Sequence, residues 1–201
     1  MAFTTITLAD LTVSLEQSWD GVAFFTPEEA RLAINEALRE WNLWTGRWRR
    51  RILMDATANQ YEYTLPSTLT YGTAVRCNVI PLVPASVWDL DVGRPTWRTE
   101  TTASGGAVPT VPTIWAPLSL QQIVIWPAVT VTTVNSFGVD GVSNTPVLVE
   151  AGDTVDLDDA TIDPLLDFAL HVAAFKQGGS SWQATLPYYQ AFLRAAAEEN
   201  G

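Results

Sequence analysis

The stretch that most constrains this chain runs from Thr26 to Arg51, TPEEARLAINEALREWNLWTGRWRRR. Thr26 stands as an N-cap, Pro27 takes the first helical position and Glu29 completes a T-x-x-E capping box. Ala30, Ala33, Ile34, Ala37, Leu38, Trp41, Trp44 and Trp48 follow at spacings of three and four, which predicts one apolar stripe along a helix. Arg31, Asn35, Glu36, Arg39 and Glu40 make the opposite, mixed-charge face. Gly46 and the basic run Arg47, Arg49, Arg50 and Arg51 mark where the helix ends. Three tryptophans on one stripe exceed what a lone helix can bury, so other elements must pack on it. Trp41, Trp44 and Trp48 are therefore expected to bury against the carboxy-terminal helices or a neighbouring subunit.

The flanking segments follow the same grammar. Thr7-Leu8-Ala9-Asp10 is a second capping box, opening a short helix through Leu11, Val13 and Leu15 that ends near Trp19-Asp20-Gly21. Phe24 or Phe25 precedes the Thr26 cap as a hydrophobic staple. From Gln60 to Glu150 only nine charged residues occur, and Thr, Val, Pro and Gly dominate. Tyr61–Pro66, Ala74–Ile80, Pro81–Pro84, Thr96–Thr101, Pro112–Ala116 and Ile123–Trp126 read as strands, and Ser86 caps one helical turn. Val129–Val134 and Pro146–Val149 are expected to pair across Gly138-Val139-Asp140-Gly141. Asp163 and Pro164 are expected to open a helix carrying Leu165, Leu166, Phe168, Ala169, Val172, Ala173 and Phe175, ended by Gly178-Gly179. A last helix starts near Thr185-Leu186-Pro187. The predicted fold class is α+β, a helical bundle of N- and C-terminal helices with an inserted antiparallel β domain. The predicted boundaries are 1–58, 59–152 and 153–201.

At 201 residues the chain can bury about 70% of its unfolded surface, so it needs neither metal nor disulfide to fold. The single Cys77 excludes an intrachain disulfide and reads as an inert buried thiol. No apolar run approaches the ~20 residues of a membrane span, and the chain is expected to be soluble, made in a reducing cytoplasm. The net charge is -11, with one lysine, Lys176, against ten arginines. That is a poor footprint for general nucleic-acid binding.

Catalytic constellations are not apparent. His171 is the only histidine, set in an apolar helix with Asp167 one turn earlier, an ordinary i, i+4 pair. The acidic run Asp153, Asp156, Asp158, Asp159 and Asp163 lacks the spacing and terminal glutamate of a calcium loop and reads as a solvated loop. Asp89 and Asp91 sit too close in sequence to flank a sugar from two sides. No catalytic residue, cofactor site or metal site is assigned. Nine tryptophans in a lysine-poor chain match the composition of interface cores, which points to an oligomer.

Leu8-Ala9-Asp10-Leu11, Phe25-Thr26-Pro27-Glu28-Glu29 and Ala33-Ile34-Asn35-Glu36-Ala37-Leu38-Arg39-Glu40-Trp41 come in that order. Tyr61-Glu62-Tyr63-Thr64-Leu65-Pro66, Pro81-Leu82, Trp126-Pro127, Leu166–His171 and Phe175-Lys176-Gln177-Gly178-Gly179 follow. In this layout the chain resembles the head–tail connector adaptor proteins of tailed bacteriophages. The resemblance implies a non-enzymatic virion protein of the neck, assembled in the host cytoplasm. It implies a ring, usually of twelve copies, that docks beneath the portal, extends the DNA channel and meets tail or nozzle proteins. DNA would pass through the lumen without sequence-specific binding, and an acidic wall would repel its phosphates. Trp41, Trp44, Trp48, Phe168 and Phe175 would then serve the bundle or its interfaces. Tyr188, Tyr189, Phe192, Arg194 and Glu198 would lie in the portal-docking tail, Pro187 to Gly201. The β insertion departs from the all-helical members. The alternatives are a stopper or tail-completion protein of the neck, a carbohydrate- or receptor-binding tail module with a tryptophan platform, and a divalent-dependent nuclease or hydrolase.

Overall fold

A computed structural model describes residues 3–19, 24–98 and 111–199. The chain is α+β and forms two compact units, one from Met1–Arg47 with Thr145–Gly201, the other from Trp48–Asn144.

In the first unit, β1 (Phe3–Thr7) pairs antiparallel with β10 (Thr154–Asp158), Phe3 opposite Asp158 and Thr7 opposite Thr154. The acidic run is thus not a loop. Asp156 and Asp158 alternate with Val155 and Leu157, which turn inward, while Asp156 accepts a hydrogen bond from the Thr5 hydroxyl at 2.6 Å; Asp153 precedes the strand, and Asp159 and Asp163 lie in the helix that follows. Thr7 then caps α1 (Leu8–Ser18) in a reciprocal box with Asp10, and Leu8, Leu11 and Leu15 are buried. Such a cap is worth about 1 kcal/mol.

α2 (Pro27–Thr45) starts from the Thr26–Glu29 box and ends at Gly46, whose left-handed backbone (φ 62°) suits glycine. Trp48 lies beyond that stop, half-buried in the second unit, so it is not on the α2 stripe. Arg49, Arg50 and Arg51 already belong to a strand. α4 (Asp159–Ala174) begins one turn earlier than expected, with Asp158 at the N-cap and Pro164 inside the helix. At the sixth position Pro164 forgoes only the bond to the Ala160 carbonyl near the helix end, which the first turns tolerate. Gly178 and Gly179 both adopt positive φ after α4, and a helix not foreseen, α5 (Gly179–Ala184), precedes α6 (Leu186–Glu199). α2 packs on α4 and α6, α4 on α6, and α1 lies on α2 and α4.

Two polar clamps complete this unit. Asn35 reads the backbone of Leu148 as a strand would, accepting from its N–H and donating to its carbonyl, both at 2.8 Å. The resulting extended segment is therefore bound to α2, not paired with Val129–Val134 as expected. Arg47, the last residue of the unit's first segment, reaches Asp158 at 3.1 Å and Glu199 at 3.3 Å, tying the ends of α2, β10 and α6 together. Burial pushes the Asp158 carboxyl up, but hydrogen bonds from Thr161 and Arg47 outweigh it and hold the group below its ordinary value.

The second unit is a sandwich of two four-stranded sheets. One has the order β2 (Arg49–Ala56), β9 (Thr133–Ser143), β4 (Leu69–Cys77), β5 (Ile80–Pro81). The other has β3 (Glu62–Thr64), β8 (Gln122–Trp126), β7 (Ile114–Ser119), β6 (Val83–Pro84). All pairs are antiparallel except β6 with β7, which is parallel and was not anticipated. Tyr63, Leu65, Val75, Trp115, Ile123, Ile125, Phe137 and Val139 fill the space between the sheets. Alternate residues of β7 and β8, Ala116, Val124 and Trp126, meet Leu90 and Trp97 beneath α3 (Val87–Gly93). β8 is buried on both faces, hence its unbroken apolar run. Thr96–Arg98 form a turn instead of the expected strand start, and the rest of that expected strand lies outside the described residues.

Gly138 to Gly141 is not a turn but the middle of β9. The reason for glycine at 141 is close approach: a Cβ there would stand 2.4 Å from the Tyr71 carbonyl oxygen, beside the irregular register of β4. Gly141→Ala should therefore cost about 2 kcal/mol or more. Gly93→Ala, with nothing within 4 Å, should be nearly neutral. Thermal or urea melts of the two variants check this.

Candidate functional site

The helical unit leaves an apolar surface at the carboxyl end of α4. Two shallow grooves meet there, of about 440 and 480 Å³. The first is lined by Phe25, Glu29, Leu32, Glu36 and Lys176, the second by Glu40, Phe168, His171, Trp182 and Tyr189. Val172 and Phe175 belong to both, and Phe175 stands 70% exposed between them. This position follows from the helix: Phe168, Val172 and Phe175 share one stripe, but only Phe168 reaches the rings of α6. It stacks on Phe192 at 4.5 Å and lies 5.8 Å from Tyr189.

The expected interface residues separate accordingly. Trp41 is buried edge-on to Phe192 at 5.5 Å, and Phe168 is buried beside it. Trp44 is 54% exposed. Of the expected docking residues, Phe192 is fully buried in the unit's interior and so offers no surface. Tyr188, Arg194 and Glu198 are exposed, and Tyr189 is half-buried against His171. Leu32 and Trp182 were passed over in the sequence. Leu32 was legible as a leucine on the polar face of α2. Trp182 was not, because α5 was not foreseen.

His171 is buried among rings, 5.2 Å from Trp182 and stacked on Tyr189 at 5.3 Å. Its hydrogen bond runs to Thr185 at 2.9 Å, not to Asp167. The Thr185 hydroxyl already donates to the Trp182 carbonyl, so it accepts from His171, which fixes the proton on Nδ1. Burial pushes the imidazole pKa down against the pull of a hydrogen bond with the Thr185 backbone. Burial, with the charge of Asp163, pushes the Asp167 carboxyl up. The hydroxyl placed on the imidazole is that of Thr185, which spends its proton on the Trp182 carbonyl. Cys77 lies in the core of the other unit, its thiol pushed up by burial. Among the described residues no group of three or more His, Cys, Asp and Glu side chains stands close enough to hold a metal ion. No helix among them is long and apolar enough to cross a membrane.

Exposed tryptophans do not form a platform on the β unit, because Trp97, Trp115 and Trp126 are buried and Trp48 half-buried, leaving Trp88 exposed on α3. The grooves of the helical unit are apolar at their centre and carry charged residues at their rims. The model of the SU10 adaptor protein family matches residues 6–200. The chain belongs to this family. It is a phage head–tail adaptor family, and its members are structural proteins, not enzymes. A comparison with curated proteins finds no match.

In this adaptor the groove is braced by the sole lysine. Lys176 reaches across from the end of α4 to Glu29, at 2.7 Å, while Glu29 also caps α2 through Thr26. These bonds, Lys176 first, lower the Glu29 pKa to about 2. Because its folded value is depressed, Glu29 supports the fold above its ordinary pKa of 4.5, and that support fades as pH falls toward 2. Lys176→Met should move the Glu29 carboxyl titration upward by about one unit or more in carbon-detected NMR, because the largest cause is removed.

His171 should act over a different window. Its folded pKa is depressed, so the unfolded chain takes up the proton first. Stability is complete above about pH 6.5 and declines as pH falls below it. Melts between about pH 5 and 7.5 should show this slope in the adaptor and lose it in His171→Phe. As the only histidine, its ring signals follow the titration directly.

Proposed function

We propose that this adaptor joins the portal to the tail as a ring in the virion neck, extending the DNA channel, with no reaction performed. The observation that carries the reading is the family match across residues 6–200. Two features support it. Large apolar side chains remain exposed on the helical unit at Leu32, Trp44 and Phe175, as expected of a surface made for other subunits. The charge is divided as well. Residues 48–144 carry six arginines against six carboxylates, while the remainder carries five cations against sixteen carboxylates. A helical unit holding the entire negative surplus repels packaged DNA, which favours a sliding path over a binding groove.

In this reading the outer face of α6, with Tyr188, Arg194 and Glu198, meets the portal, and Phe192 acts only by holding α6 on α4. Ring assembly places about twelve copies below the portal and presents the far side to tail or nozzle proteins. The tail-completion alternative shares these expectations and differs in its partner. Mass measurement of the purified chain with and without its portal protein tests the proposal. The expected outcome is a complex with about one copy per portal subunit, weakened about tenfold by Tyr188→Ala with Arg194→Ala. A chain that stays monomeric beside the portal refutes it.

A further inference from the structure

Two surfaces of the adaptor are built as mirror images in charge. On the helical unit, Glu36 and Glu40 share the one guanidinium of Arg39, Glu40 at 3.3 Å. One carboxylate is therefore left in surplus beside the exposed Phe175 and Leu32 and the half-buried Val172 of the grooves. On the β unit the stoichiometry is reversed. Arg51 forks both oxygens of Asp140, at 2.6 and 2.9 Å, and leaves Arg76 at 3.6 Å from the same carboxylate.

Register puts Arg51 opposite Asp140, with Leu53 and Arg76 both opposite Gly138, so these residues share the outer face of the sheet. The other face carries Ile52, Val75, Phe137 and Val139 into the core. Leu53 is 56% exposed, and Gly138 beside it leaves a flat apolar spot bordered by arginines. Arg51 and Arg76 are themselves about half exposed.

We infer that these two surfaces bind each other between copies: the Leu53–Arg51–Arg76 face of one adaptor seats on the Phe175 grooves of the next. This rests on the ring reading and names its contact. Joined, the surfaces set the arginine surplus of the sheet face against the carboxylate surplus of the groove rim around an apolar centre, the anatomy of a protein interface. The two patches differ, so the contact is heterologous and repeats head to tail, as a ring requires. A phosphate backbone is a poorer occupant of the sheet face. It would meet Asp140 at the centre and find an exposed leucine where it needs a donor.

Charge reversal tests the contact. Glu36→Lys with Glu40→Lys makes the groove rim basic. Arg51→Glu with Arg76→Glu makes the sheet face acidic. Each double variant, checked for folding by circular dichroism, should need about tenfold or more higher concentration to assemble with the portal protein, since each loses attraction and gains repulsion. An equimolar mixture of the two should assemble as the unmodified protein does, because every contact in an alternating ring is again complementary. Failure of the mixture to recover, or full assembly of either variant alone, overturns the inference while leaving the ring intact. Retention of duplex DNA by the unmodified chain, lost on reversing Arg51 and Arg76, assigns the face to DNA and also overturns it. If the unmodified chain never assembles on the portal, the ring reading itself fails.

Discussion

The packing of Trp41 against Phe192, with Phe168 stacked on the same ring, is the contact on which the rest depends. It joins a helix from near the start of the chain to the last helix, across a sequence gap in which a separate β unit is folded. Closing so long a loop costs entropy that grows only slowly with length, so a few large buried rings can offset it. Arg47 then fixes the exit point by bonding Asp158 and Glu199 at the edge of the same unit. The chain thus leaves a completed helical frame and returns to it with its own ends already held together.

The β unit has its own logic. Its core lies between two sheets, and Tyr63 seals one end by giving its hydroxyl to the turn ahead of β3, accepting from the Thr57 N–H at 3.2 Å. α3 covers the far face of β7 and β8, which is why tryptophans there are buried instead of displayed. What the unit exposes is a glycine-flattened sheet face with arginines. Its charges cancel, whereas the helical unit carries the whole negative surplus. That partition gives an adaptor two unlike surfaces and a reason for unlike surfaces to meet.

The one histidine is shielded by three aromatic rings, and its hydrogen bond serves the turn between α5 and α6. The groove next to it is apolar at its centre and ionic at its rims, which suits a protein side chain better than a polar substrate.

Much of the fold was legible in residue order because its signals are local. The capping boxes at Thr7 and Thr26 each formed as written, Ser86 caps its helix as expected, and the stripe from Ala30 to Trp41 faces inward. These depend on hydrogen bonds three residues apart and on a period of 3.6, which neighbours in sequence set by themselves. The acidic strand β10 was legible too, in the alternation of Asp156 and Asp158 with Val155 and Leu157, but charge concealed it. Other features were decided only in three dimensions. Gly141 looked like a turn residue until the Tyr71 carbonyl came within reach of where its Cβ would be. Pro164 looked like a helix start until the pairing of β1 with β10 delivered the chain to Asp158 one turn sooner. Phe192 and Phe175 look alike in sequence, yet one is enclosed by α2 and α4 and the other stays largely exposed, touched edge-on by Trp182. Local bonding chose the elements, and only long-range packing chose which of their aromatic side chains became core and which became surface.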